Sequence, residues 1–123
     1  RGVPIILYNR VGEAEPAASV CCDSAAGMRE LVKHLIAAGH RRVGIIAGPQ
    51  DSYVGEERLE SAQRHLAAAG IEPLLYRGGF DYRSGEEGLR ALMEASGGAL
   101  DAVIATNDAM AMGAMDCARG AYD

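Results

Sequence analysis

The stretch "DAVIATNDAMAMGAM" (residues 101–115) carries the reading from which the rest of the chain follows. Ala102–Ala105 is a short apolar run of the kind that forms a buried strand. Asn107 and Asp108 interrupt it, and seven apolar or small residues (109–115) follow without a break. A buried strand, a polar pair at its tip and a helix launched at once make the strand-to-helix joint of a parallel α/β sheet. The polar pair has two readings. It caps the helix, or it faces a ligand. The helix itself is apolar on more than one side: Met110, Gly113, Ala114 and Cys117 share one stripe, and Met112 and Met115 lie on another. Two apolar stripes require two partners, or complete burial within one chain.

Working outward, the same joint recurs. Residues 3–8 form a continuous apolar run, and 17–22 a shorter one after a polar Gly/Glu/Pro stretch. Asp23 or Ser24 stands where an N-cap belongs, before a helix with its apolar stripe at Met28, Leu31, Val32, Leu35 and Ile36 and a stop at Gly39. Val43–Ala47 is the next strand, followed by a polar loop (50–55) and a helix carrying Leu59, Ala62, Leu66 and Ala69. Residues 73–76 predict a short strand, 80–84 a loop, 85–94 a helix, and 109–119 the last helix. Strands alternating with helices imply a parallel sheet with helices on both faces.

Composition excludes several classes. The chain has 123 residues, 49% of them hydrophobic, and a net charge of −5. That is enough for about one domain with a buried core. No apolar run approaches the roughly 20 residues of a membrane span. The acidic balance repels a phosphate backbone, and His40-Arg41-Arg42 is too small a basic knot to offset it, so this segment does not bind DNA by itself. Cys21, Cys22 and Cys117 read as small hydrophobes in a reducing compartment rather than a disulfide framework. His34, His40 and His65 lack metal-ligand spacing, and no metal is expected. A strand that starts at once, with no initiating Met, reads as a piece of a longer protein.

In folds of this kind ligands bind beyond the carboxyl ends of the strands. The residues there fall into four polar sets: Asn9-Arg10, 50–53, 80–82 and Asn107-Asp108. Aromatic faces, amides, carboxylates and guanidinium groups together suit a polyol or a heterocycle. Each also has a plainer reading: Asp108 as an N-cap, Arg58 as a solvated helix charge, Phe80 tucked onto the core. No nucleophile is assembled with a base. Glu56-Glu57 and Glu86-Glu87 complement helix dipoles, and "GHRRVG" and "GGFDYRSG" lack phosphate-loop spacing. Neither an enzyme nor a bound cofactor is expected.

Four segments then carry a resemblance. "DSAAGMRELVKHLIAAGHRRVGIIAGP" (23–49), "RL" (58–59), "GGFDYRSGEEGLRALM" (78–93) and "DAVIATNDAMAMGAM" (101–115), in this order and spacing, resemble the LacI/GalR family of bacterial transcription regulators. The resemblance covers nearly the whole chain. It implies periplasmic-binding-protein-like type I lobes, here incomplete, with the ligand in the cleft between them. Residues 1–22 correspond to the end of the N-terminal lobe and 23–123 to most of the C-terminal lobe, without its final strand and the crossovers back. It further implies a cytoplasmic homodimer that meets operator DNA through a helix-turn-helix absent from this chain.

The effector implied is a sugar, a sugar phosphate or a purine-like metabolite. Arg58, Phe80, Asn107, Asp23 and Ser52 match the family's ligand-contact positions, and Met112 and Met115 lie on the face that meets a partner subunit. On this resemblance Asn107 faces the cleft and Asp108 caps the last helix. "RLESAQ" places Ser61, Ala62 and Gln63 where relatives carry Gly and an aromatic, and Val54 replaces a frequent polar contact beside the bulky Tyr53. A periplasmic sugar-binding protein of a transport system, with the same cleft and no DNA-reading head, is the alternative.

Overall fold

The computed structural model describes Ile6–Tyr8, Ala18–Val20 and residues 23–122. Strands β1 (Ile6–Tyr8) and β2 (Ala18–Val20) pair in parallel, Leu7 opposite Ser19. Helix α1 (Ser24–Ala37), strand β3 (Val43–Ala47), helix α2 (Tyr53–Ala68), strand β4 (Leu74–Arg77), helix α3 (Tyr82–Ala95), strand β5 (Ala102–Ala105) and helix α4 (Asp108–Ala121) follow in alternation. Their three strands form a second parallel sheet, in the order β4-β3-β5. The remaining residues of the expected 3–8 and 17–22 runs, together with Asn9, Arg10, Cys21 and Cys22, lie outside the described residues.

Strand β3 shows why the sheet needs cover on both faces. All five of its residues are buried, as expected of a central strand in a parallel sheet. Val43, Ile45 and Ala47 point into a core formed with Val32 of α1 and Leu59, Ala62 and Leu66 of α2. Ile46 points the other way, into a core with Leu89 and Leu92 of α3 and Met110, Ala114 and Cys117 of α4. The period of two along the strand thus assigns α1 and α2 to one face and α3 and α4 to the other. Full burial of side chains such as Ile45, Ile46 and Leu66 stabilises by roughly 1.5–3 kcal/mol each.

Small residues make close packing possible on both faces. Ser61 and Ala62 are buried, and the Ser61 hydroxyl donates to the Ala25 carbonyl at 3.0 Å, drawing α2 against α1. An aromatic side chain has no room there. On the opposite face a Cβ built on Gly113 would overlap the Tyr82 carbonyl, and one built on Gly85 would overlap that of Met110. Helices α3 and α4 therefore meet backbone to backbone through reciprocal glycines.

The two stripes of α4 are separated as its sequence requires. Met110, Gly113, Ala114 and Cys117 are buried, whereas Met112 and Met115 are 59% and 52% exposed. Among the described residues no helix is long and apolar enough to cross a membrane.

Candidate ligand-binding edge

The loops after β3, β4 and β5 and the N-termini of α2, α3 and α4 gather at the carboxyl edge of the three-stranded sheet. Backbone bonds extend the sheet past its strands. Gly78 N–H donates to the Ala47 carbonyl at 2.7 Å, and Thr106 N–H to that of Ile46 at 3.0 Å. The polar side chains of the edge are consequently anchored on a rigid frame.

Three of the candidate ligand residues are helix N-caps. Asp23 accepts from Ala26 N–H at 3.0 Å, Ser52 from Gly55 N–H at 3.1 Å, and Asn107 from Met110 N–H at 2.9 Å. Each covers a backbone donor that lacks a partner within its own helix. Here the expectation for the last helix is corrected: Asn107, not Asp108, is the cap. Its extended backbone (φ −148°, ψ 168°) aims Oδ1 at the first turn, while Asp108 is the first helical residue and exposed. A fourth cap escaped sequence reading. Asp81 accepts from Ser84 N–H at 2.8 Å and starts α3 at Tyr82, ahead of the expected 85, so the 80–84 loop is shorter than predicted. The Asp-x-x-Ser spacing was the available signal. Hydrogen bonding by Ser84, first from its side chain and then from its backbone, holds the Asp81 carboxyl below its usual range.

Asn107 also uses its amide nitrogen. Nδ2 donates to the Phe80 carbonyl at 2.8 Å, joining the tip of β5 to the loop after β4. Phe80 has φ +67°, a left-handed conformation uncommon for a bulky residue. Its ring sits where side chains on Gly48 and Gly55 would be: a Cβ on Gly55 would lie 2.7 Å from the ring, and one on Gly48 would overlap it. The expected stacking aromatic is therefore half-buried, wedged between the loop after β3 and the start of α2, and packed on the α3–α4 core.

Arg58 reaches the edge from the second turn of α2. Its Nη1 donates to the Thr106 carbonyl at 2.7 Å and its Nε to Ser24 Oγ at 3.2 Å. It is half-buried, and among the described residues no carboxylate pairs with it. Beside it the buried Thr106 hydroxyl has no hydrogen-bond partner among the described residues. Arg77, absent from the sequence-derived candidates, closes β4. It pairs with Glu56 in the first turn of α2 through both Nη atoms and donates to the Gly48 carbonyl at 3.4 Å.

The structure thus brings Asp23, Ser52, Phe80, Asn107 and Arg58 into the frame of one sheet edge. Arg58 is linked to α1 through Ser24 and to β5 through Thr106, and Asn107 is linked to Phe80. No group of three or more His, Cys, Asp or Glu able to hold a metal ion is present among the described residues.

A doubly covered parallel sheet with its polar loops on one edge defines a lobe of the ligand-binding α/β type. The chain belongs to the periplasmic binding protein-like domain family, which matches residues 32–122. Its relatives are transcriptional regulators. It is 40% identical over 119 residues to the HTH-type transcriptional regulator CelR of Thermobifida fusca, covering 93% of this chain and 35% of that protein. The solved transcriptional regulator CelR–cellobiose complex superposes with a TM-score of 0.85 at 36% identity, covering 98% of this chain and 38% of that one. A regulatory protein of the LacI family from Chloroflexus aggregans superposes with a TM-score of 0.80 at 32% identity, covering 95% of this chain and 43% of that one. The resemblance to LacI-type regulators carried by the four sequence segments is borne out. The chain spans about a third of the length of the curated relatives it matches.

Proposed function

We propose that this chain is the greater part of one lobe of the effector-sensing core of a bacterial transcription regulator, with a sugar as its effector. The observation that carries this reading is Arg58, a half-buried guanidinium without a carboxylate partner among the described residues, held at the sheet edge between Ser24 and Thr106. A cation in that position retains donors for hydroxyl oxygens and is oriented before a ligand arrives. Asn107, Phe80, Asp23 and Ser52 act around it. Their capping and wedging roles fix the shape of the edge that a ligand meets, and Asp108 and Asp51 stand exposed beside them. Kinship with a regulator solved with cellobiose supports a sugar in preference to a purine.

In this reading residues 1–22 close the N-terminal lobe, and the ligand lies between the lobes. The exposed Met112 and Met115 face meets a second subunit, where adaptable thioethers suit an interface. The protein works in the cytoplasm, and a ligand that favours one arrangement of the lobes changes the hold of the dimer on operator DNA. Relatives that are transcriptional regulators favour this over a transport binding protein.

The test is operator binding by the full-length protein, measured by fluorescence anisotropy with and without cellobiose and a panel of other mono- and disaccharides. A sugar that shifts operator affinity at least about fivefold in wild type, and leaves Arg58→Ala unmoved, is the expected result. Operator affinity indifferent to every sugar contradicts it.

A further inference from the structure

The charges at the sheet edge are arranged against an anion. A phosphate ester is ordinarily held by an arginine fork or by free N–H groups at a helix N-terminus. Both devices are present here: the fork is filled, and each helix N-terminus already has one N–H taken by a capping side chain. The fork of Arg77 is filled by the Glu56 carboxylate, with Nη1 also on the Gly48 carbonyl. The first turns of α1, α2, α3 and α4 each carry a side-chain acceptor, from Asp23, Ser52, Asp81 and Asn107. Two of these acceptors are carboxylates, those of Asp23 and Asp81. Asp51 and Asp108 add exposed negative charge, and Arg83, the next cation along, is paired with Glu87 at 2.8 Å. Among the described residues Arg58 is the edge arginine without a carboxylate, and it already serves two uncharged acceptors.

We infer that this edge takes an uncharged, hydroxyl-rich sugar and discriminates against the phosphate ester of the same sugar, with Glu56 as the residue that withholds the Arg77 fork from an anion. The inference rests on the sugar-sensing reading of the same edge. A phosphomonoester carries between one and two negative charges at neutral pH. To gain the Arg77 fork it must expel Glu56 and leave a partly buried carboxylate unpaired. To gain the N-terminus of α1 or α3 it must approach a capping carboxylate, Asp23 or Asp81. A hydroxyl needs neither: it accepts from the remaining donors of Arg58 and donates to the exposed carboxylates.

Calorimetric titration of the full-length protein with glucose, maltose and cellobiose, each beside its phosphate ester, tests this. At least one neutral sugar is expected to bind, with its ester weaker by roughly tenfold or more. Glu56→Gln, which releases Arg77, narrows that ratio by about tenfold. Asp81→Asn keeps an N-cap, removes a charge and narrows it in the same direction. An ester that binds as well as or better than its parent sugar overturns the inference and leaves the sugar-sensing reading intact. A panel in which neither member of any pair binds overturns both. If both variants fold and keep the wild-type ratio, the discrimination does not come from this edge and the assignment to Glu56 is wrong.

Discussion

Asn107 joins two loops through one side chain, and replacing it separates those two tasks. Its Oδ1 caps α4 through Met110 N–H, and its Nδ2 holds the Phe80 carbonyl at 2.8 Å. Loss of an N-cap costs about 1 kcal/mol. Loss of the donor to a half-buried carbonyl costs about 1 kcal/mol more. Asn107→Ala removes both and is expected to lower unfolding stability by about 2 kcal/mol. Asn107→Ser keeps a cap without reaching Phe80, so about 1 kcal/mol is lost. Asn107→Asp keeps the cap and sets a carboxylate against the Phe80 carbonyl, so its loss is at least as large, about 1–2 kcal/mol.

The bond to Phe80 also holds a residue at φ +67°, a conformation that costs about 1 kcal/mol or more unless its surroundings enforce it. Equilibrium urea unfolding of the full-length protein, followed by circular dichroism, gives the three values. The order expected is wild type, then Ser and Asp, then Ala. An Asn107→Asp protein as stable as wild type shows that the Nδ2 bond contributes nothing. An Asn107→Ala protein within about 0.5 kcal/mol of wild type refutes the clamp altogether.

The remaining predictions concern packing, titration and assembly. Gly113→Ala drives a methyl into the Tyr82 carbonyl, where only backbone can move, and is expected to cost about 3 kcal/mol in the same urea assay; Gly120→Ala, in open space on the same helix, is expected to stabilise by up to about 1 kcal/mol. Tyr82 donates its hydroxyl to Asp116 at 2.7 Å, and that bond pushes the phenol from 10.0 up to about 12. Its contribution to stability is complete below pH 10.0, where the phenol is protonated both folded and unfolded, and is lost as pH rises through about 12. An ultraviolet titration of the phenolates detects the late ionisation of Tyr82, and Asp116→Asn is expected to bring it to lower pH. Met112→Asp with Met115→Asp is expected to convert the proposed dimer of the full-length protein to monomer in sedimentation velocity with helix content unchanged; a double variant that sediments as wild type removes those side chains from the proposed interface.

The fold was legible where burial is complete. Strand β3 falls on the residues its apolar run marks, because every side chain of a central strand must leave water, and β5 follows its own run with Ile104 buried. The stripes of α4 separate as their spacing requires. Element ends were less legible. Strand β4 runs from Leu74 to Arg77, one residue later than expected, because Pro73 has no N–H for the ladder and Glu56, 21 positions away, makes Arg77 acceptable at its end.

The candidate site was legible as an address more than as a set of roles. The sequence located the carboxyl edge and named Asp23, Ser52, Phe80, Arg58 and Asn107. It could not tell which of two adjacent polar residues caps α4, since that turns on one extended backbone pair. Nor could it show the Phe80 ring seated over Gly48 and Gly55, because that slot is built from a different loop and helix. The pairing of Arg77 with Glu56 stayed unread for the same reason: it exists only after β4 has paired with β3.

In the proposed function a sugar binds at this edge against Arg58. Calorimetric titration of the full-length wild type and Arg58→Ala with cellobiose and related neutral sugars measures it most directly. One saturable site is expected in wild type, weakened roughly a hundredfold by Arg58→Ala, while the variant keeps its folded circular dichroism. A sugar that binds both proteins equally well contradicts it.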